Sequence, residues 1–186
     1  SLPLLSKYYP NICYNVIGID DKKESLIKLS KLLKVNDKLK IHGPLDDKGL
    51  NDVLNTCDIF IMLSENQPNG DVEGFGIAII EGNYFGLPSI GSKNCGIEDA
   101  ILHKKSGVLV NPHDHDDVLS AMDEILSDYR NYSELAIKWA NKHDWKNIIK
   151  LMRKPAWIFD ARSIINPNEV KEANLNFWRI GDGSIT

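Results

Sequence analysis

Asp71-Val72-Glu73-Gly74-Phe75-Gly76-Ile77-Ala78-Ile79-Ile80-Glu81-Gly82 decides how this chain is read. A glycine-rich turn, Gly74-Phe75-Gly76, runs into an apolar stretch, a pattern that predicts a loop opening onto a helix from about Phe75 to Phe85. At the start of a helix the first backbone N–H groups have no partner within the helix and point outward with the positive end of its dipole. Such an end is a natural seat for a phosphate or pyrophosphate, and glycines let the anion approach the backbone. Glu73 and Glu81 flank the turn. If the whole stretch is helical they stand about 12 Å apart along the axis and about 80° apart around it.

Outward from this stretch, strand-like and helix-like segments take turns. Ile12 to Gly18 reads as a strand, Lys22 to Leu33 as a helix, and Leu39 to His42 as a second strand closed by Gly43-Pro44. Asp46-Asp47 suits the start of a helix reaching about Asn55. Asp58 to Leu63 reads as a third strand, apolar enough to be buried on both sides. Beyond Phe85 come a strand near Pro88 to Gly91, a short helix near Ile97 to Leu102, and a strand at Val108 to Val110. Asp114 and Asp116 then suit the cap of a helix to about Leu126, and another helix follows from about Tyr132 to Lys142. This alternation predicts an α/β fold, a Rossmann-like parallel sheet with helices on both faces, whose ligand sits beyond the carboxyl ends of the strands.

Past Trp145 the pattern changes. Ala156-Trp157-Ile158-Phe159 and Phe177-Trp178-Arg179-Ile180 read as two short strands around a turn at Asn166-Pro167 and a brief helix, a small βαβ tail. With Lys150 to Lys154 as the linker, the expected division is residues 1–149 and 150–186.

Composition narrows the function. The chain has 186 residues, 42% hydrophobic and 26% charged, with a formal net charge of −4. The charge offers no general attraction to nucleic acid or an anionic membrane, so nucleic acid is not expected as a partner. The lysines between Lys22 and Lys40 alternate with Leu26, Ile27, Leu29 and Leu33, which suits a solvated helix face. No apolar run approaches the roughly 20 residues that span a bilayer, so no transmembrane segment is expected. Cys13, Cys57 and Cys95 are odd in number and far apart, as reduced thiols in a cytoplasmic protein would be. His113-Asp114-His115-Asp116-Asp117 is metal-like in composition, but its acids suit a helix cap and no further cluster completes a site; no metal and no cofactor are expected.

The stretch from Glu73 to Glu81, with Gly-Phe-Gly between the acids, resembles the Glu-x7-Glu region of the retaining family-four glycosyltransferases of the two-lobed GT-B type. Gly86-Leu87-Pro88, Gly96-Ile97-Glu98 and Ser106-Gly107-Val108-Leu109-Val110 with Pro112 resemble the family's following motifs, and the likeness covers about residues 10 to 145. The resemblance implies one GT-B lobe, the donor-binding half of an enzyme that transfers a sugar from a nucleotide sugar, with the first strand and its Arg/Lys loop missing. It implies that Glu73 faces the donor sugar, that Glu81 holds the ribose, and that Gly74, Phe75, Gly76 and Ile77 approach sugar or phosphate. His42 and Gly43 end the second strand where the family places the base; His42 reads equally as an ordinary loop histidine. Partners implied are a nucleotide sugar and an acceptor-binding lobe, without which the chain is expected to be inactive.

Lys154-Pro155-Ala156-Trp157-Ile158-Phe159-Asp160-Ala161-Arg162 and Asn176-Phe177-Trp178-Arg179-Ile180-Gly181 are similar to the last βαβ piece of UDP-glucose/GDP-mannose dehydrogenases. By that resemblance Arg162 would contact a nucleotide sugar. The alternative readings it leaves are a non-catalytic nucleotide-sugar-binding module, or a fusion fragment associated with a UDP-sugar dehydrogenase.

Overall fold

The computed structural model describes residues 1–18, 22–65, 74–144, 147, 150–160 and 165–179. The chain forms two compact units, Ser1–Ala140 and Asn141–Thr186.

In the first unit strand and helix alternate as the apolar pattern requires. The order is α1 (Leu2–Tyr8), β1 (Tyr14–Ile17), α2 (Lys23–Leu32), β2 (Leu39–Gly43), α3 (Asp47–Leu54), β3 (Phe60–Met62), α4 (Ile77–Tyr84), β4 (Ser89–Ser92), a 3₁₀ turn (Gly96–Ala100), β5 (Gly107–Val110), α5 (His115–Ser127) and α6 (Tyr129–Lys142). Every strand pairing is parallel: β1 with β2, and β3 with β4 with β5.

The β3–β4–β5 sheet is covered on both faces, and the period-2 alternation of its side chains sorts two cores. Ile59, Ile61 and Leu63, then Ile90, then Val108 and Val110 join α1 and α5 through Leu5, Val118, Ala121 and Ile125. Phe60, Met62 and Leu109 turn the other way, toward Ile79 of α4 and Ile97, Ala100 and Ile101 of the 3₁₀ turn. Sequence read Asp58 to Leu63 as a strand buried on both sides, but β3 is only half-buried, and β4 is the strand enclosed along its whole length. The reason is size. A Cβ on Gly91 would stand 2.4 Å from Ile101 Cδ1, and one on Gly107 would stand 2.1 Å from the Ser89 carbonyl oxygen. Small residues at Ser89, Gly91, Ser92 and Gly107 let the neighbouring layers close in, although their letters do not look apolar.

The α2 helix is solvated, as its lysines suggest, and its apolar side chains share that exposure: Leu29 and Leu32 are 49% and 77% exposed. Among the described residues no helix is long and apolar enough to cross a membrane.

In the second unit β6 (Trp157–Asp160) and β7 (Asn176–Arg179) pair in parallel across α7 (Pro167–Glu172), a βαβ piece. Ala156, Val170, Leu175 and Phe177 form its own core.

Candidate functional site

The α4 helix begins at Ile77, two residues after the expected Phe75. Gly76 is its N-cap, at φ +83°, a left-handed conformation that side chains with a Cβ rarely adopt. Among the described residues no side chain caps this end, and its first turn carries no acid. The N-terminal pole of the helix carries the positive end of its dipole. Its seat is fixed by packing: Gly82 lies so close to β3 that a Cβ would meet the Phe60 ring at 2.7 Å, and Phe75 joins the cluster around Ile79 and Ile97.

The helix ends as firmly as it starts. Gly86, at φ +78°, turns the chain, its N–H donating to the Asn83 carbonyl (2.9 Å), while the Leu87 N–H donates to that of Gly82 (3.1 Å). Asn83 is fully buried, and its Nδ2 donates to the Leu87 carbonyl and to Ser89 Oγ, both at 2.8 Å. Sequence reasoning passed over Asn83; an amide inside an otherwise apolar helix was the signal that could have found it.

The β4 strand follows α4 and leads into the turn whose Gly96-Ile97-Glu98 was singled out. There Glu98 Oε1 accepts from the Asn94 N–H at 2.6 Å, and Asn94 is itself at φ +63°. Loops from three adjacent strands interlock beyond their carboxyl ends. The Cys95 thiol lies 3.6 Å from the Ser64 carbonyl, on the exit of β3. Lys93 pairs with Asp117 (3.5 Å), whose Oδ2 also accepts from the Asn111 N–H (2.7 Å), on the exit of β5. His113 Nε2 pairs with Glu65 Oε1 at 3.1 Å, joining the exits of β5 and β3.

Of the predicted site residues, Gly74, Phe75, Gly76 and Ile77 are brought together at the α4 pole. Glu81 lies one turn along α4 and is exposed. His42 and Gly43 end β2 in the other sheet piece, where His42 Nε2 meets Asn15 Oδ1 at 2.9 Å and the Gly43 carbonyl accepts from the Gly18 N–H. Glu73 and Arg162 lie outside the described residues. Asp160 in the tail is buried, accepts from the Ile165 N–H at 2.9 Å and pairs with Arg179 at 3.5 Å; Arg179 in turn donates to the Ile165 carbonyl.

Of the two acids expected to cap, Asp114 does so: it is the N-cap of α5 and accepts from the N–H groups of Asp116 and Asp117 at 3.0 and 3.1 Å, while Asp116 lies inside the first turn. Among the described residues no group of three or more His, Cys, Asp and Glu is arranged to hold a metal ion. Burial raises the Cys57 thiol above its ordinary value, the direction opposite to that which activates a thiolate.

The family model for glycosyl transferases group 1 matches residues 1–150. The chain belongs to that family. It is 25% identical over 144 residues to a GDP-mannose-dependent α-(1-6)-phosphatidylinositol monomannoside mannosyltransferase of Mycolicibacterium smegmatis, covering 77% of this chain and 37% of that protein. This glycosyltransferase chain thus spans little more than a third of the relative's length. Its fold matches the C-terminal domain of a group 1 glycosyl transferase (LpcC) from Francisella tularensis, with TM-score 0.62 and 21% identity, over 75% of this chain and 73% of that one. It also matches Anabaena Alr3699/HepE, solved in complex with UDP-glucose, with TM-score 0.63 and 19% identity, over 76% of this chain and 39% of that one. These are α/β lobes of the GT-B, Rossmann-like kind, and the parallel two-faced sheet is of that kind too.

Proposed function

We propose that this glycosyltransferase chain is the donor-binding lobe of a retaining, hexosyltransferase-like enzyme, holding a nucleoside diphosphate sugar while a separate lobe presents the acceptor. The observation that carries the reading is the α4 pole: a helix N-terminus opened by a left-handed glycine, with no side-chain cap among the described residues, following a parallel strand. A diphosphate placed there accepts backbone N–H groups and meets the positive end of the dipole. Glu81, exposed one turn along, takes the ribose diol, and Glu73 takes the sugar hydroxyls. His42 and Gly43 flank the base. The mannosyltransferase relative is named for a GDP-mannose donor and Alr3699/HepE was solved with UDP-glucose, so nucleotide sugars suit this chain as a substrate class. No metal takes part in this reading.

Isothermal titration of the chain with UDP, GDP and ADP tests it. At least one should bind, near the millimolar range, roughly −4 kcal/mol. Glu81→Gln should weaken that binding, because charge-assisted bonds from a ribose diol are worth about 1.5–3 kcal/mol each in gross terms. Glu73→Gln should leave the diphosphate alone and reduce preference for its sugar-bearing form. No binding to any of the three by the wild-type chain would sink the proposal.

For the tail we propose a division at residues 149/150 and a likeness to the end of nucleotide-sugar dehydrogenases, supported by its parallel βαβ order; Arg162 is the residue that would meet a nucleotide sugar there.

A further inference from the structure

A short run of polar contacts crosses from α3 to the carboxyl end of β2. The Cys57 thiol donates to the Val53 carbonyl, in the last turn of α3, at 3.4 Å. Its sulfur faces Asn15 of β1, whose Nδ2 donates to it at 3.7 Å, and Asn15 Oδ1 meets His42 Nε2 at 2.9 Å. All three side chains are half-buried. An amide oxygen only accepts, so the hydrogen in the last contact belongs to His42 Nε2. Turning the amide over would take the single thiol hydrogen for Asn15 and give up the shorter bond to Val53. The backbone sets His42 apart as well. The pairing of β1 with β2 passes from Val16–Ile41 to Ile17–Gly43, so His42 is the extra residue of a β-bulge, a device that re-aims a side chain. Beyond the bulge the Gly43 carbonyl takes the Gly18 N–H at 3.1 Å and ties the exits of the two strands. With Nε2 committed to Asn15, the imidazole has Nδ1 left, and among the described residues nothing bonds it.

We infer, resting on the donor-lobe reading in which His42 flanks the base, that Asn15 is a positioning residue of that site. It holds His42 with hydrogen on Nε2 and so leaves Nδ1 as an acceptor, which selects a base offering a ring N–H, uracil N3–H or guanine N1–H. Adenine and cytosine present a bare ring nitrogen at that edge, and two acceptors facing each other leave both unsatisfied. Asn15 itself touches no nucleotide in this scheme.

The full chain is studied at about pH 8, where an imidazole is ordinarily neutral. Long-range proton–nitrogen NMR correlation, with the His42 signals assigned by their loss in His42→Phe, should show hydrogen on Nε2 and a bare Nδ1; the opposite tautomer overturns the inference. Asn15→Leu should give a mixture of the two tautomers. Titrations then compare UDP with its N3-methyl analogue and GDP with its N1-methyl analogue. For whichever diphosphate binds, the wild-type chain should favour the unmethylated form by at least about fivefold, the worth of one hydrogen bond, and Asn15→Leu and His42→Phe should each bring that ratio below about twofold. A methyl group that merely clashed would keep its effect in both variants. A lowered melting temperature in Asn15→Leu with the ratio unmoved marks a purely structural role and overturns the inference, as does binding of ADP in preference to UDP and GDP. If the wild-type chain binds UDP or GDP without distinguishing the methylated forms, the role of Asn15 and His42 falls and the donor reading stands. If it binds neither these nor ADP, the donor reading falls and carries this inference with it.

Discussion

At the scale of single residues, the sheet's tight spacing makes a sharp forecast. A Cβ at Gly107 would meet the Ser89 carbonyl at 2.1 Å, and that atom is backbone, unable to swing aside. Gly107→Ala should therefore cost about 3 kcal/mol in urea unfolding, at the upper end of the usual range for overpacking. Gly74→Ala, where an added Cβ meets nothing within 4 Å, should change stability little; equal losses at the two sites would refute the close-packing argument. What sequence could show at this scale followed contact distance. Asp46 and Asp114 were readable as caps because a cap bonds within its own turn. Glu65 with His113, or Lys93 with Asp117, was not, since nothing local marks which charges a fold will bring together. Nor does anything local mark Ser89 and Ser92 as core residues: they are buried because they are small, Ser89 with its hydrogen bond from Asn83.

At the scale of elements, periodicity made the helices and strands legible, and the misplacements came at their ends. The start of α4 moved from Phe75 to Ile77 because the left-handed Gly76 must precede the helix, and α6 starts at Tyr129, three residues before the expected Tyr132. The α5 start rests on a side chain, so Asp114→Ala should cost ~1 kcal/mol of stability, while Asp116→Ala, an acid in the first turn that caps nothing, should cost less than half as much. Comparable losses would show that the dipole, not the cap, fixes this end. The docking of α1 on α5 makes a pH-dependent forecast. The Tyr9 hydroxyl donates to Asp123, and this hydrogen bond, followed by burial and the carboxylate's charge, raises the phenol from its ordinary 10.0 to about 12. A group whose folded value is raised binds more protons when folded, so its contribution is intact below pH about 10 and is lost as pH rises through about 12. Thermal unfolding followed from pH 9 to 12 should show a decline that is shallower in Tyr9→Phe; identical slopes would mean that the bond adds nothing to the folded state.

At the scale of the whole molecule, the described apolar clusters respect the division of the chain. The two clusters flanking the β3–β4–β5 sheet are drawn from residues between Leu4 and Tyr132, and the tail's cluster from residues between Met152 and Phe177. A unit that owns its core can fold alone. Residues 1–140, produced without the remainder, should give a mixed α/β circular dichroism spectrum and a single cooperative unfolding transition. The α4 pole, Glu81, His42 and Gly43 all belong to this unit, so the truncated protein should also bind a nucleoside diphosphate with the affinity of the full chain, within about threefold. Retained folding with lost binding would assign the donor site partly to residues 141–186, and would give the dehydrogenase-like resemblance of the tail, with Arg162, a direct part in holding the nucleotide. Loss of folding would instead mean that the tail completes the core of residues 1–140. Comparing truncated and full chains by titration and calorimetry separates these outcomes, because binding and unfolding are read on the same two proteins.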